Sequence, residues 1–414
     1  MFFNKTRALE MMQSCELDVL VAASPVNVTY FTDYSCWIDP LFKDYMMSPG
    51  ASSHLSPMYG AFCGDGAGAL VINPVFATNA TDVWVTDLCT YDSSELDLSS
   101  PPQAMPEADQ RLFASLRAAA GAGTANQALV QWLRKQGASA ARIGIDMEGL
   151  HPQAEEEIRQ ALPGAQIKDC SNLIRMIRMV KSGEEIDLLE TAARISEEAA
   201  METLKLGRPG THIRELVQCY REVISVRGAD FDHYAYGVRG TGLATRVDYR
   251  LAEGDYLYVD YGCIYQGYFS DTGFTLAVGE LPQQARDWYR ALLECHASAV
   301  ELVRPGAKSA ALADAMQASL EGNGISGTFP HGHGVGLEVR DYPIIVPDNG
   351  LRIRDDCIDL ESDLSLVEGM VINLEASIAR FGAGDTHLEQ SLLVTADGCR
   401  PLVPHDRSQP FVVG

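Results

Sequence analysis

Hydrophobic and polar positions follow two different patterns along the chain, and the change comes near residue 180. In the first part, short apolar runs stand between polar and helical segments, at 17-LDVLVAA-23, 68-GALVINP-74 and 141-ARIGIDM-147. Runs of this kind are typical of buried strands in a sheet covered by helices. They predict an α/β domain over residues 1–172.

Two stretches of this first part carry turn-forming residues and show no clear period. Residues 36–62 contain Pro, Gly and Ser together with aromatic residues and Met, and residues 91–110 are polar and rich in Pro. Both are predicted to be long loops, and long ordered loops are often functional.

Further along the chain, apolar residues recur at helical spacing. The pattern predicts two amphipathic helices and then a β-hairpin, at 181–207, 211–228 and 256-YLYVDYGCIYQGYFSDTG-273. The tripeptide RPG separates the two helices, and Thr211 is the candidate N-cap of the second.

The same order of elements occurs a second time. RPG lies at 208–210 and again at 304–306, each time after a predicted helix. The second set comprises two helices and two strands, at 282–303, 308–322, 368–378 and 387–394. The repeated order predicts an α+β domain over residues 173–414, built by an internal duplication with two half-domains related by pseudo-two-fold symmetry.

The first predicted hairpin carries an aspartate on each of its two strands. A turn between Tyr265 and Gln266 would place Asp260 directly opposite Asp271, on the same face and about 5 Å apart at Cβ. Two carboxylates at that distance repel each other, so either one is protonated or a cation lies between them.

The second predicted hairpin repeats the arrangement with glutamates. A turn centred on Gly382 would place Glu375 opposite Glu389, with Asn373 and Ser377 on the same polar face. If these were ordinary hydrated acids, the two matched pairs would be a coincidence. Four carboxylates carry four negative charges, which two divalent cations would neutralise. Oxygen ligands with a single imidazole suit Mn, Co, Fe or Zn.

The candidate imidazoles lie in 329-FPHGHGVGLEVRDYP-343. His331 and His333 point to the same face if the segment is extended, so spacing alone does not choose between them. His333 has glycines on both sides, which allow the backbone to approach a site closely.

Composition and charge argue against some classes of binding partner. The 414-residue chain has 32 basic and 56 acidic residues and a formal net charge of -24, whereas nucleic-acid binding requires a basic surface. The ten cysteines show no CxxC spacing, and no apolar stretch is long enough to span a membrane. We therefore expect reduced thiols, a cytoplasmic location, and neither a nucleic-acid nor a membrane partner.

These motifs resemble those of the pita-bread metallohydrolases, the group that contains methionine aminopeptidase, prolidase, aminopeptidase P and creatinase. The matching segments are VDYG, SDTGFT, GHGVGLEVRDYP, EGMVINLE and HLEQSLLVTADG. The segment DVLVAASPVNVTYFTDY resembles the creatinase/prolidase N-terminal domain. The resemblance therefore covers nearly the whole chain and implies a pita-bread fold for the second domain.

The resemblance also implies a dinuclear metal centre in which Asp271 and Glu389 bridge the ions; the ligands would be Asp260, Asp271, His333, Glu375 and Glu389. A metal-bound hydroxide would attack the amide carbonyl, and Glu375 would accept and return the proton. His331 would then line the cleft or support a ligand. A homodimer is expected, with the 36–62 loop as a candidate lid.

Four positions depart from the peptidase pattern. Leu243 and Arg340 stand where peptidases of this group have histidines that bind the peptide, and Phe274 and His387 stand where they have arginines. Arg340 is a candidate to bind a substrate carboxylate, unless it only pairs with a nearby acid. His387 would support a ligand carboxylate. His233 would supply a displaced imidazole to the substrate.

Three functions fit this sequence. The first is a dinuclear-metal hydrolase similar to the Xaa-Pro peptidases, acting on a small peptide. The second is a small-molecule amide hydrolase or related enzyme on the same scaffold, similar to ectoine hydrolase, creatinase or dimethylsulfoniopropionate lyase, because Leu243 and Arg340 replace both accessory histidines. The third is a non-catalytic binding protein. The intact set of metal ligands disfavours the third and also a metal-free, creatinase-like enzyme.

Overall fold

A computed structural model of the chain describes residues 2–35, 57–80, 82–91, 105–118, 123–241 and 248–413. The chain divides into two compact units, the first comprising Met1–Arg178 with Ile353–Leu360 and the second comprising Met179–Arg352 with Glu361–Gly414. The boundary predicted between residues 172 and 173 falls within a helix of the first unit, Ser171–Arg178. None of the helices in the described ranges is long and apolar enough to cross a membrane.

The first unit contains a mixed sheet whose described strands run in the order β4-β3-β2-β1-β5-β6. These strands are β1 Val19–Ala22, β2 Tyr59–Cys63, β3 Gly68–Ile72, β4 Asp87–Thr90, β5 Arg142–Ile145 and β6 Gln166–Asp169. The helices are α1 Lys5–Ser14, α2 Pro25–Thr32, α3 Glu107–Ala118, α4 Ala125–Lys135, α5 Pro152–Ala161 and α6 Ser171–Arg178. Short 3₁₀ helices lie at Pro74–Asn79, Ala138–Ala140 and Met147–Gly149.

All three apolar runs predicted as strands in the first unit form β1, β3 and β5. Val19 and Val21 of β1 lie in one buried cluster with Leu129 and Trp132 of α4. This packing confirms the predicted α/β class. The predicted 36–62 loop is wrong at its end, because β2 begins at Tyr59; residues 36–56 lie outside the described part of the chain. The 91–110 loop is likewise too long, because α3 begins at Glu107.

The second unit contains a larger sheet whose main path runs β12-β11-β15-β16-β10-β8-β7 through the described residues. Its strands are β7 Asp230–Tyr236, β8 Tyr256–Tyr265, β9 Tyr268–Phe269, β10 Thr272–Val278, β11 His331–Gly334, β12 Asp341–Ile345, β15 Val371–Arg380, β16 Gly384–Val394, β17 Cys399–Pro401 and β18 Phe411–Val413. A separate ribbon is formed by β13 Arg352–Arg354 and β14 Asp359–Glu361, most of which belong to the segment Ile353–Leu360 of the first unit. The helices are α7 Gly183–Leu204, α8 Ile213–Val226, α9 Gln283–Val300 and α10 Ser309–Gly322.

The side chains of β8 alternate between two environments, as expected for a strand with one face against helices. Val259 and Tyr261 lie in one buried cluster with Leu216 and Tyr220 of α8. The intervening residue, Asp260, therefore points to the opposite face of the sheet. That face carries the side chains of the candidate metal centre.

The two RPG turns make the same hydrogen bonds. The Gly210 amide donates to the Leu251 carbonyl at 2.7 Å, and the Gly306 amide donates to the Leu366 carbonyl at 2.8 Å. From these leucines onward the sequences also correspond, and each segment ends in a carboxylate: 251-LAEGDYLYVD-260 and 366-LVEGMVINLE-375. The predicted internal duplication is confirmed.

The predicted pairing of the first hairpin is wrong by two residues. The turn is formed by Gln266 and Gly267, whose φ values are 49° and 86°, and Asp260 lies opposite Gly273 instead of Asp271. A two-residue turn with positive φ at both positions matches the twist of the strands it joins. Because the shift is an even number of residues, Asp271 remains on the same face, diagonal to Asp260. In the second hairpin, the predicted pairing of Glu375 with Glu389 is confirmed.

The N-cap predicted for α8 is one residue too early. His212 is the N-cap, and its Nδ1 accepts a hydrogen bond from the Arg214 amide at 3.2 Å. Glu215 completes a capping box by accepting from the His212 amide at 3.0 Å. Thr211 donates its hydroxyl to the Leu206 carbonyl instead.

A buried arginine near the C-terminus lies beneath the start of β10. Arg407 donates to the Gly273 carbonyl at 3.2 Å, to the Thr272 hydroxyl at 3.0 Å and to Glu197 at 3.1 Å. Its guanidinium also lies 5.2 Å from the ring centroid of Phe274. A cation therefore lies beside Phe274, the position where the peptidase pattern has an arginine, but a distant part of the chain supplies it.

We expect Arg407→Met to lower the free energy of unfolding by about 3 kcal/mol, because the buried Glu197 carboxylate loses its main partner. Chemical unfolding followed by circular dichroism measures the loss. Glu197→Gln in the same chain should recover much of it. A loss for Arg407→Met below about 0.5 kcal/mol would contradict a buried pair, since that value is typical of exposed pairs.

Candidate metal centre

Five neighbouring strands bring charged side chains into a row across one face of the large sheet. The pairing runs from Asp260 to Gly273, Glu389, Glu375 and His331, on strands β8, β10, β16, β15 and β11. Directly paired residues point to the same face of a sheet. The sheet register itself therefore places three of the four predicted carboxylates in one line.

A second row lies two residues away along the strands. His333 pairs with Asn373, which pairs with Ser391. At the other end of the strand order, on β7, His233 pairs with Gly262. Asp271 precedes β10, and its backbone carbonyl accepts a hydrogen bond from the Ser391 hydroxyl at 2.8 Å. The second row thus contributes the fourth carboxylate and an imidazole at each end.

Asp271 lies between two imidazoles. Its Oδ1 is 3.4 Å from His233 Nε2, and its Oδ2 is 3.3 Å from His333 Nε2. His233 Nε2 is also 2.8 Å from Asp260 Oδ1. The other oxygen of Asp260 accepts a hydrogen bond from the Tyr258 hydroxyl at 2.8 Å.

The glutamates at the other end of the site have their own polar partners. Glu375 Oε1 lies 2.7 Å from His331 Nε2 and 3.4 Å from the Arg340 guanidinium. Glu389 Oε2 lies 3.0 Å from His387 Nε2, and the second ring nitrogen of His387 is 2.7 Å from the Ser377 hydroxyl. His387 therefore occupies the supporting position predicted for it, although its role stays a prediction.

The crowding of negative charge shifts several pKa values. Burial raises the pKa of Glu389 well above its usual range, and the charges of Asp271 and Asp260 raise it further. Burial also opposes ionisation of Asp271, but the hydrogen bond from His233 and the charge of the neighbouring His333 ring hold its pKa below its usual range. Burial would lower the pKa of His233, yet hydrogen bonds to Asp232, Asp260 and Asp271 raise it to about 12. Without a cation, these shifts favour a protonated Glu389 and a protonated His233.

The arrangement fits divalent cations. Within the described residues, three clusters have ligand atoms within 4.8 Å of one another: His233 with Asp260 and Asp271, Asp271 with His333 and Glu389, and Glu375 with His387 and Glu389. The fully buried Nε2 of His333 makes no aligned hydrogen bond, although it faces Asp271. A buried nitrogen is costly without a partner, and a cation among these carboxylates would supply one.

The structure separates the two histidines that spacing could not distinguish. His333 is completely buried and faces Asp271, whereas His331 is partly exposed and stacks on Phe329 with ring centroids 5.4 Å apart. This placement agrees with His333 as a ligand and His331 as a cleft residue. Leu243 lies outside the described residues.

Sequence reasoning did not identify Tyr258, Asp232 or Arg407 as parts of the site. The period of two along β8 would have found Tyr258, which lies two residues before Asp260. Asp232 reaches the site only because of an irregularity in β7. Arg407 is far from the other residues in sequence and carries no local signal.

Gly273 makes room for the carboxylate row. A Cβ at this position would contact His387 Nε2 and lie 2.7 Å from Glu389 Oε2. Any larger residue would push both side chains out of line. The glycine between Asp260 and Glu389 is thus required by the close approach of these groups.

Comparison with protein families assigns both parts of the chain. Residues 5–180 match the Creatinase/Prolidase N-terminal domain, and residues 187–396 match the Metallopeptidase family M24. An Xaa-Pro dipeptidase of Pyrococcus horikoshii is 30% identical over 261 residues, which cover 61% of this chain and 70% of the relative. An Xaa-Pro dipeptidase of Pyrococcus furiosus is 30% identical over 251 residues, covering 58% and 68%.

Solved structures show the same fold. The prolidase from Pyrococcus horikoshii OT3 superposes with a TM-score of 0.70 at 22% identity, covering 97% of this chain and 98% of that chain. The Xaa-Pro dipeptidase from Bacillus anthracis gives 0.73 at 19% identity, covering 99% and 100%. The predicted two-domain architecture, with a creatinase-like first domain and a pita-bread second domain, is confirmed.

We expect Gly273→Ala to weaken divalent-metal binding roughly 10- to 100-fold, as is usual when groups that orient metal ligands are disturbed. Isothermal titration calorimetry of the metal-depleted protein measures the change. Gly322→Ala is the matched control, because a Cβ there meets nothing within 4 Å. Unchanged metal affinity in Gly273→Ala would show that the carboxylate row does not bind the metal.

Proposed function

Because the chain belongs to the metallopeptidase family M24, we propose that it is a metal-dependent hydrolase of Xaa-Pro dipeptides or closely similar short peptides. The observation that carries the proposal is the convergence of four carboxylates and a buried imidazole on one face of the sheet. The names of the relatives favour a peptide over the small-molecule substrates considered from the sequence.

The metal centre of this proposal consists of two divalent ions, from among Mn, Co, Fe and Zn, and its ligands are Asp260, Asp271, His333, Glu375 and Glu389. Two ions would balance the four negative charges of the carboxylates. Such ions polarise a carbonyl and lower the pKa of water, which makes water a nucleophile at neutral pH.

Glu375 is the carboxylate best placed to move a proton. It lies at the edge of the cluster, beside the more exposed side chains of His331 and Arg340. Burial opposes its ionisation, but the hydrogen bond from His331 and the charge of that ring lower the pKa of Glu375. An ionised Glu375 can accept a proton from water and return it to the leaving amine.

His387 and His331 hold the two glutamates in place. His387 contacts Glu389, and Ser377 fixes the orientation of its ring from the opposite side. His331 contacts Glu375 and lines the cleft next to Phe329. These contacts support a role for His387 in orienting a ligand and for His331 in contacting substrate.

The position of Arg340 favours a dipeptide as the substrate. Its side chain is 56% exposed, and it lies 3.4 Å from Glu375, so it is next to the site of chemistry and open to solvent. A guanidinium binds a carboxylate through two parallel hydrogen bonds. In a dipeptide, the C-terminal carboxylate is only one residue beyond the scissile amide, which suits an arginine at this distance.

The predicted homodimer and cytoplasmic location stay predictions, as does the role of the 36–62 loop as a lid. A lid from the partner subunit would exclude water from the cleft and confine substrates to a short length.

We expect protein loaded with Mn or Co to hydrolyse Xaa-Pro dipeptides and to lose this activity on chelation. Glu375→Gln should lower kcat about 10²- to 10⁴-fold, since it removes the proton acceptor. Release of proline measures the rate. Glu368→Gln, an exposed glutamate just before the same strand, is the control. Failure of fully metal-loaded protein on a panel of short peptides would contradict the proposed function.

We expect Arg340→Ala to raise KM for Xaa-Pro dipeptides roughly tenfold or more, because it removes a charged hydrogen-bond donor to the substrate carboxylate. Dipeptides with an amidated C-terminus should show no such dependence on Arg340. Arg290→Ala, another exposed arginine, serves as the control. An equal effect on free and amidated dipeptides would contradict carboxylate recognition.

A further inference from the structure

A bulge in β7 directs His233 into the metal centre. Phe231 pairs with Cys263 and His233 pairs with Gly262, so Asp232 is an extra residue on its strand. Bulges often occur beside active sites, where they redirect a side chain. Gly262 leaves space for the redirected ring, since a Cβ there would lie 2.5 Å from His233 Cε1.

Both nitrogens of His233 are engaged by carboxylates. Nδ1 lies 2.7 Å from Asp232 Oδ2, and Nε2 lies 2.8 Å from Asp260 Oδ1 and 3.4 Å from Asp271 Oδ1. A metal-binding histidine almost always donates its second ring N–H to a carboxylate or a carbonyl, which fixes the tautomer. With Asp232 as acceptor at Nδ1, the lone pair of His233 Nε2 is directed between Asp260 and Asp271.

His333 has the same arrangement on the other side of Asp271. Its Nδ1 lies 3.0 Å from the Gly334 carbonyl, and its buried Nε2 faces Asp271 Oδ2 without an aligned hydrogen bond. One imidazole therefore faces each oxygen of Asp271. An orphaned buried nitrogen on one side is independent evidence that this carboxylate belongs to a cation site.

We propose that His233 is a nitrogen ligand to the divalent ion held between Asp260 and Asp271. The proposal rests on the dinuclear centre of the proposed function and adds a sixth protein ligand to it. Both ions would then have one nitrogen ligand, which favours Zn, Co or Fe over Mn. A ring bound through Nε2 has both nitrogens occupied, by the ion and by Asp232, so this assignment replaces the substrate-binding role expected for His233.

The alternative is that His233 is only a positively charged partner of the two aspartates. The two roles predict opposite effects of removing the ring. A charged partner competes with metal ions for Asp260 and Asp271, so its loss would strengthen metal binding. A ligand contributes to metal affinity, so its loss would weaken it.

The experiment is calorimetric titration of metal-depleted protein with Co²⁺, Zn²⁺ and Mn²⁺, together with the visible absorption spectrum of the Co²⁺ form. We expect two ions per wild-type chain. In His233→Ala, one Co²⁺ or Zn²⁺ should bind at least about tenfold more weakly, with a smaller loss for Mn²⁺ and a changed Co²⁺ spectrum. Asp232→Asn keeps the ring and should weaken the same ion, whereas Asp230→Asn, on the same strand, should not.

The outcomes separate the two proposals. Two ions in His233→Ala with wild-type affinity and spectrum, or with higher affinity, would overturn the role of His233 and leave the proposed function intact. No binding of divalent ions by the wild-type protein would overturn both. Circular dichroism checks folding; if His233→Ala is unfolded, Asp232→Asn decides, and unchanged metal affinity in that variant would overturn the proposal.

Discussion

Four carboxylates lie together on one face of the large sheet and repel one another. Asp260, Asp271, Glu375 and Glu389 face one another on one side of a sheet, and burial opposes the ionisation of Asp271, Glu375 and Glu389. Apolar packing on the opposite face holds β8 and β10 in place, which keeps Asp260 and Asp271 beside the glutamates. The repulsion among the four negative charges must therefore be balanced inside the site, and two divalent cations would balance all of it.

The other residues of the site keep these carboxylates and their neighbouring imidazoles aligned across the strands. Gly262 and Gly273 allow imidazoles to lie directly over the sheet, and Ser377 and Asp232 orient those rings from outside. Arg407 positions the chain next to Asp271 by donating hydrogen bonds to the Gly273 carbonyl and the Thr272 hydroxyl. The internal duplication explains why the pattern occurs twice, since each half presents one carboxylate-bearing strand after an equivalent turn.

Features with a local cause could be predicted from the sequence. The period of two identified the polar face of both hairpins, and the turn at Gly382 gave the pairing of Glu375 with Glu389. The predicted pairing of Asp260 was wrong because the two-residue turn is formed by Gln266 and Gly267, one residue later in the chain than assumed. The placement of Asp232 in the site depends on a bulge in β7, and that of Arg407 depends on a segment far along the chain. Neither feature produces a periodic pattern in the sequence.

In the proposed metal centre, divalent cations balance the negative charge of the carboxylate cluster. Anomalous X-ray scattering from crystals of the Mn- or Co-loaded protein would locate these cations. We expect two peaks within ligand distance of these carboxylates. Absence of peaks at these side chains in fully loaded protein, or peaks only elsewhere in the chain, would show that cations do not balance this cluster.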